Sequence, residues 1–307
     1  MYIPMSAYMR VGIIHFMAYP VSKGEGPIAQ TFQQLASDPF FEVIEVTQIK
    51  EDAVRKQVAS MAEIAHVELT YGAQPRLLTN KLNINDLDET KRQAALKQLK
   101  EGIDEAYAMH AKAYAFLSGP YEEATKEASY QALVASTKEL CAYAEAKGPM
   151  PISLEVFDYD VDKKSLIGPA PLAARFAKEI RKEFPFFGLL VDLSHIPLLH
   201  ETIEESLEPV RHYITHAHMG NCVVKSPSLP GYGDLHPRFG FPGGENDTEE
   251  LARYLSSLLS IGYLSTERRP VVSFEVKPFS DEDPALVIAN AKRTLLRAWD
   301  LVCQRTF

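Results

Sequence analysis

The sequence predicts one closed (β/α)8 barrel, a single α/β domain over residues 1–307, and three observations carry that prediction. Short β-rich stretches alternate with longer helical ones in eight successive pairs. No Ser/Gly-rich linker or shift in composition divides the chain. No glycine-rich phosphate-binding turn follows the first strand, where Gly24 and Gly26 stand isolated, so a doubly wound nucleotide fold fares worse. An apolar fraction of 46% supplies the core that such a barrel needs, and the charged fraction of 24% is that of a globular protein.

Residues 11–17 read as the first strand, and a Gly/Pro loop leads to a helix whose Ile28, Phe32 and Leu35 share one face. Residues 41–49 give the second strand and 51–65 its helix. The third strand, 66–71, precedes a loop with Asn83 and Asn85 and a charged helix over 87–110, whose segment 86–105 reads as a solvated outer face. Strands at 113–118, 152–157 and 187–193 are followed by helices that run to residue 146, over 171–184 and over 201–209. The seventh strand is 213–218; its helix starts late, near Thr248, and ends before Gly262. The eighth, 271–276, leads to a helix that begins after Asp283 with Pro284 in a favoured first-turn position. Residues 221–246 carry no periodic pattern, only repeated Pro and Gly. A loop of that length in a compact domain is usually functional, and in a barrel it belongs to the face where the strands end.

Charge and cysteine content narrow the partners. A net charge of −9 argues against a surface that neutralises phosphates along a duplex, so no nucleic acid is expected. Cys141, Cys222 and Cys303 are few and widely spaced, as free thiols in a reducing cytoplasm would be. The first apolar run holds His15 and is far too short to span a bilayer, so no membrane partner is expected and a cytoplasmic protein is.

The informative residues end the last four strands. Strand five reads through Glu155, strand six through Asp192, strand seven through His216 and His218, and strand eight through Glu275. A carboxylate inside an apolar strand is costly to bury unless a cation neutralises it, and four strands repeating the exception at one depth point to one shared cation. Glu155, Asp192, His218 and Glu275 form a hard-leaning ligand set suited to Mn2+, Mg2+ or Co2+, with Zn2+ admissible. Lys277 is the one cationic side chain inside these strands and is read as a substrate or carboxylate partner. His216 shares the face of His218 and is read as a supporting or packing residue.

The order Glu155, Asp192, His218, Glu275, with His195 three residues after the aspartate, resembles the xylose-isomerase-like barrel superfamily of sugar isomerases and epimerases. The stretch His216-Ala217-His218-Met219-Gly220-Asn221-Cys222 resembles its ketose 3-epimerase branch. The resemblance implies one divalent cation, a small sugar or related polyhydroxy carbonyl compound as substrate, and two catalytic glutamates, Glu155 and Glu275, facing each other across it. One glutamate would take the proton beside a carbonyl whose oxygen the cation holds. The resulting enediolate would regain the proton on the opposite face or on the neighbouring carbon. It further implies that His195 binds a substrate oxygen. Assembly into a homo-oligomer is compatible with this reading. One position departs from the epimerases: where they carry a substrate-contacting arginine six residues beyond the histidine ligand, this chain has Val224, with Lys225 beside it and Arg238 as the other candidate contact.

Asp234 and His236, spaced Asp-x-His, supply the rival reading. With His195 they would form a second metal site, as in the endonuclease-IV-like members that hydrolyse phosphodiesters with zinc. That pattern also needs histidines at the ends of strands three and four, where this chain offers Thr70 or Tyr71 and Leu117 or Ser118. A hydrolase of a small phosphoester, or a lyase or dehydratase of an acyl sugar, stays as the alternative. Asp234 and His236 are read equally as substrate contacts or as a loop-ordering pair. His15, Glu45, Tyr71 and Tyr121 are further candidates for the pocket wall, each with a core or packing alternative.

Overall fold

A computed structural model describes residues 3–306 and shows eight parallel strands paired in chain order, with the first against the last to close the barrel. The strands are β1 (Arg10–Ile14), β2 (Val43–Val46), β3 (Glu68–Gly72), β4 (Tyr114–Leu117), β5 (Ile152–Glu155), β6 (Phe187–Asp192), β7 (Ile214–Gly220) and β8 (Val271–Glu275). Eight helices follow them: Ile28–Ala36, Asp52–Ala65, Glu89–Ala108, Lys126–Glu145, Ala170–Ile180, Ile203–Leu207, Thr248–Ser260 and Pro284–Thr306. Alternate strand residues, among them Ile13, Ile44, Leu69, Leu154, Leu189 and Phe274, are buried in the core shared with these helices. No helix among the described residues is long and apolar enough to cross a membrane.

Several boundaries move, each for a local reason. The apolar run over 11–17 stops being a strand at Ile14, and its remainder coils into the one-turn helix His15–Ala18. Periodicity cannot separate those two outcomes in so short a run. His66, expected in a strand, adopts φ 53° and closes the preceding helix as a left-handed cap. Asp88 starts the charged helix by accepting from the N–H groups of Thr90 and Lys91. Asp247 with Glu250, and Thr202 with Glu205, form capping boxes that fix two further helix starts.

One irregularity in the sheet bears on function. Between β6 and β7 the register runs Leu189 to Ile214 and then Leu190 to His216, which leaves Thr215 as an extra residue in β7. Its hydroxyl bonds that of Ser153 at 2.8 Å, reaching past β6 to β5. Gly188 of β6 makes the room, since a Cβ there would lie 2.0 Å from Thr215 Oγ1. Beyond the bulge, Asp192 stands level with His218.

The charged helix is not solvated along its whole length. Glu105 is buried and accepts from Arg76 Nη2 at 2.6 Å and from the Ile49 N–H at 2.7 Å, while Arg76 Nε donates to Tyr71 Oη at 2.9 Å. The helix turns inward at this end because both charges find complete partners there. Replacing Arg76 by Met leaves Glu105 buried without its cation. Urea unfolding of the variant is expected to show a loss of about 3–5 kcal/mol.

Candidate active site

Glu155, Asp192, His218 and Glu275 arrive at one place because β5, β6, β7 and β8 end at one height. One ligand atom from each lies within 4.8 Å of all the others, and all four residues are buried. His218 Nδ1 is 2.8 Å from Glu275 Oε2 and 3.5 Å from Glu155 Oε1. Its Nε2 turns the other way, 3.1 Å from Glu45 Oε1 on β2. His216 Nε2 reaches the same Glu45 oxygen at 2.7 Å, so one carboxylate below the cluster fixes two imidazole rings.

The remaining contacts are polar but sparse. Gln74 donates to Glu155 Oε2 at 2.6 Å, and Glu155 Oε1 is buried without a hydrogen-bond partner. Asp192 accepts from the Ser194 N–H at 2.8 Å and from its hydroxyl at 2.5 Å. Among the described residues, no lysine or arginine lies within ion-pair distance of Glu155, Asp192 or Glu275; their charged partners are histidines. Three clustered carboxylates with an unpartnered oxygen between them fit a hard divalent cation. Burial disfavours a charge on His218, yet Glu45, Glu155 and Glu275 hold its pKa well above the usual imidazole range. Burial likewise pushes the Asp192 carboxyl up. Protons therefore offset part of the negative charge that a cation would offset in their place.

A second cluster adjoins the first. Asp192, His195 and His236 also bring ligand atoms within 4.8 Å of one another. Asp234 Oδ1 sits 2.8 Å from His236 Nε2 and 3.2 Å from His195 Nε2. Burial opposes ionisation of Asp234, but His236, His195 and Lys163 hold its carboxyl well below the usual range. Against the same burial penalty, Asp234 and Glu275 push His236 up to about 9. The long loop delivers these residues because two asparagines pin its ends. Asn221 Oδ1 accepts from the N–H groups of Cys222, Glu245 and Asn246, and Asn246 Nδ2 donates to Gly220 O at 3.0 Å. His236 itself holds φ 51°, a left-handed conformation maintained where its carbonyl accepts from the Lys277 N–H at 2.7 Å.

Over the first cluster opens a cavity of about 230 Å³, the scale of a compact ligand. Glu45, Glu155, His218 and Glu275 line it together with Asp234, His236 and three lysines, Lys23, Lys163 and Lys277. Asp158 builds the turn that presents Lys163 by accepting from the N–H groups of Val161, Asp162 and Lys163.

Residues 32–289 match the family described as xylose isomerase-like TIM barrel. The chain belongs to that family. Solved structures similar to this xylose isomerase-like barrel include D-psicose 3-epimerase with D-tagatose from Clostridium cellulolyticum H10, at 18% identity and TM-score 0.66 over 96% of this chain and 99% of that one. An L-ribulose 3-epimerase aligns at 15% identity and TM-score 0.71 over 97% and 96% of the two chains. An AP endonuclease, family 2, from Brucella melitensis aligns at 15% identity and TM-score 0.66 over 92% and 97%. At such identities the likeness is one of fold. No curated protein matches the chain in sequence.

In this xylose isomerase-like barrel the residues singled out from the sequence separate into two groups. Glu155, Asp192, His218 and Glu275 meet, and Asp234, His236 and Lys277 reach the cavity beside them. His195 lies behind the wall, its ring 4.3 Å from that of Phe157 and its Nδ1 2.8 Å from Val156 O. Arg238 is turned away from the cavity, with Nε on Glu282 Oε1 at 2.9 Å and Nη1 on Gly240 O at 3.1 Å. Lys225 is exposed and reaches Gly244 O. Tyr71 stacks on Tyr114, and Tyr121 packs by Tyr159, so neither walls the cavity. His15 is buried against Thr31 Oγ1 at 2.8 Å. Gln74, Lys23 and Lys163 were not anticipated. Gln74 stands two residues past the end of β3, where it opens the short helix Gln74–Leu78 beyond Thr70 and Tyr71.

Two measurements follow from this arrangement. Mn2+ added to metal-free protein is expected to raise the free energy of unfolding by about 2.7 kcal/mol at a hundredfold excess over its Kd, with proton release seen in titration calorimetry, and Asp192→Asn to remove most of that gain. Burial lowers the His15 pKa from 6.5 to about 4, so the fold favours its neutral form. That contribution is full above pH 6.5 and is lost as pH falls toward 4, worth about 3 kcal/mol. The urea stability of His15→Gln is expected to be flatter than that of the parent over this interval.

Proposed function

We propose that the protein is a cation-dependent isomerase or epimerase of a small polyhydroxy carbonyl compound, moving one proton beside the carbonyl. The pairing of Glu155 and Glu275 carries this reading: two carboxylates from β5 and β8 line one cavity and share one cluster with Asp192 and His218. A divalent cation held by these four residues would draw electron density from a substrate carbonyl and so acidify the neighbouring C–H. The chain's own groups handle the proton. Gln74 orients Glu155 through Oε2, the oxygen left to take the proton on its side of the cavity when Oε1, which has no hydrogen-bond partner, would turn to the cation. Glu275 Oε2 is tied to His218, while Oε1 lies 3.4 Å from His236 Nε2, a neighbour able to hold or relay a proton. Removal by one carboxylate and return from the other inverts the carbon. Return to the adjacent carbon moves the carbonyl instead. Sugar 3-epimerases among the structures of similar fold support the same chemistry.

A second reading draws on the adjoining cluster of Asp192, His195 and His236: a two-cation hydrolase of a small phosphoester. Thr70, Tyr71, Leu117 and Ser118 give β3 and β4 no histidine for a third ion. Incubating the Mn2+-loaded protein in deuterated water with a panel of ketoses, keto acids and ketose phosphates separates the two. Deuterium is expected at a carbon next to the carbonyl, at a rate lowered about 100-fold or more by Glu155→Gln or Glu275→Gln. No label with any compound, together with phosphate release from an ester, assigns the second reading instead.

A further inference from the structure

Resting on the isomerase reading, the structure assigns the substrate an anionic group, a carboxylate or a phosphate, held by the ammonium groups of Lys23 and Lys277 on the solvent side of the cavity. Three lysines line this small space, and they are not equivalent. Lys163 is satisfied, with Nζ 2.9 Å from Asp234 Oδ2 and 3.1 Å from Asp162 Oδ2. Among the described residues, Lys23 and Lys277 have no carboxylate within ion-pair distance and no side-chain hydrogen bond, although the same cavity contains Glu45, Glu155, Asp234 and Glu275.

The acids of the cavity are already committed. Asp234 takes Lys163, His195 and His236, and Glu45 takes His216 and His218. Glu155 and Glu275 lie in the buried ligand cluster, whereas Lys23 is exposed and Lys277 half-buried. The cavity is thus divided by charge, with carboxylates at the bottom and free ammonium groups toward solvent. Lys277 is fixed in place, being the second residue after Glu275 with its N–H bonded to His236 O. Lys23 comes from the loop after β1, and burial together with the charges of Lys277 and Lys163 pulls its pKa below the ordinary lysine value. Two neighbouring ammonium groups that lack an acid gain most from an anion placed between them. An uncharged ketose would leave both unmatched. The ligand that fits both ends is a polyhydroxy carbonyl compound with its carbonyl at the carboxylate cluster and an acid group at the lysines.

Titration calorimetry on the Mn2+-loaded chain tests this with three six-carbon polyols that lack a carbonyl: sorbitol, gluconate and sorbitol 6-phosphate. At least one of the two anions is expected to bind about tenfold or more tighter than sorbitol, and the better of them tells carboxylate from phosphate. The double variant Lys23→Gln, Lys277→Gln is expected to reduce that preference to less than about threefold while its Mn2+ affinity is unchanged. Equal binding of all three polyols, binding of none, or a preference that survives in the double variant because the anion sits on the cation itself overturns the inference. The deuterium experiment separates this from the isomerase reading. Label in neutral ketoses without any anion preference removes the lysine site alone, whereas an anion preference with no label in any carbonyl compound removes the isomerase and keeps the lysine site.

Discussion

Five carboxylates, Glu45, Glu155, Asp192, Asp234 and Glu275, are buried within one end of a single barrel, and the structure around them is organised by the need to offset their charge. Among the described residues only Asp234 of these five has a lysine partner; the others face His195, His216, His218 and His236. Histidine is suited to that task because it can carry a proton when no metal is present and release it when one arrives. A lysine or arginine in the same place would neutralise the acids permanently and close the centre to a cation.

The architecture supplies what this arrangement demands. Parallel strands that end level with one another place side chains from β5 to β8 around a common point, and the outer faces of those strands bury apolar residues against the helices. The loop over 221–246 then adds Asp234 and His236 from outside the sheet. Its two asparagine anchors matter as much as the two side chains it delivers, because a loop that carries a buried carboxylate must itself be held in one conformation.

The barrel and the four converging residues were legible in the sequence for the same reason. An acidic residue at the end of an apolar strand conflicts with its surroundings, and Glu155, Asp192 and Glu275 repeat that conflict on three strands. Residues whose function depends on distant chain crossings carry no such mark. Gln74 touches Glu155 only because the segment after β3 comes beside the end of β5, with β4 between the two strands, and Lys23 gains meaning only when the loop after β1 comes beside Lys277. Arg238 misled for the converse reason: a cation in a functional loop resembles a substrate contact until the fold shows Glu282 waiting for it. Glu105 looked like one more solvated charge on a helix because its partner Arg76 lies on a different element.

The bulge at Thr215 has a consequence that reaches past β7 itself. Because side chains on a strand alternate, one residue more sends all those beyond it to the opposite face unless a bulge absorbs it. Ile214 and His216 stand level with the adjacent Leu189 and Leu190, so the bulge takes up Thr215 as a surplus residue, and His216 and His218 keep the inward face on which both meet Glu45. A residue gained in this strand is thereby absorbed where Gly188 leaves space for it, so that the barrel buffers its chemistry against a change in strand length.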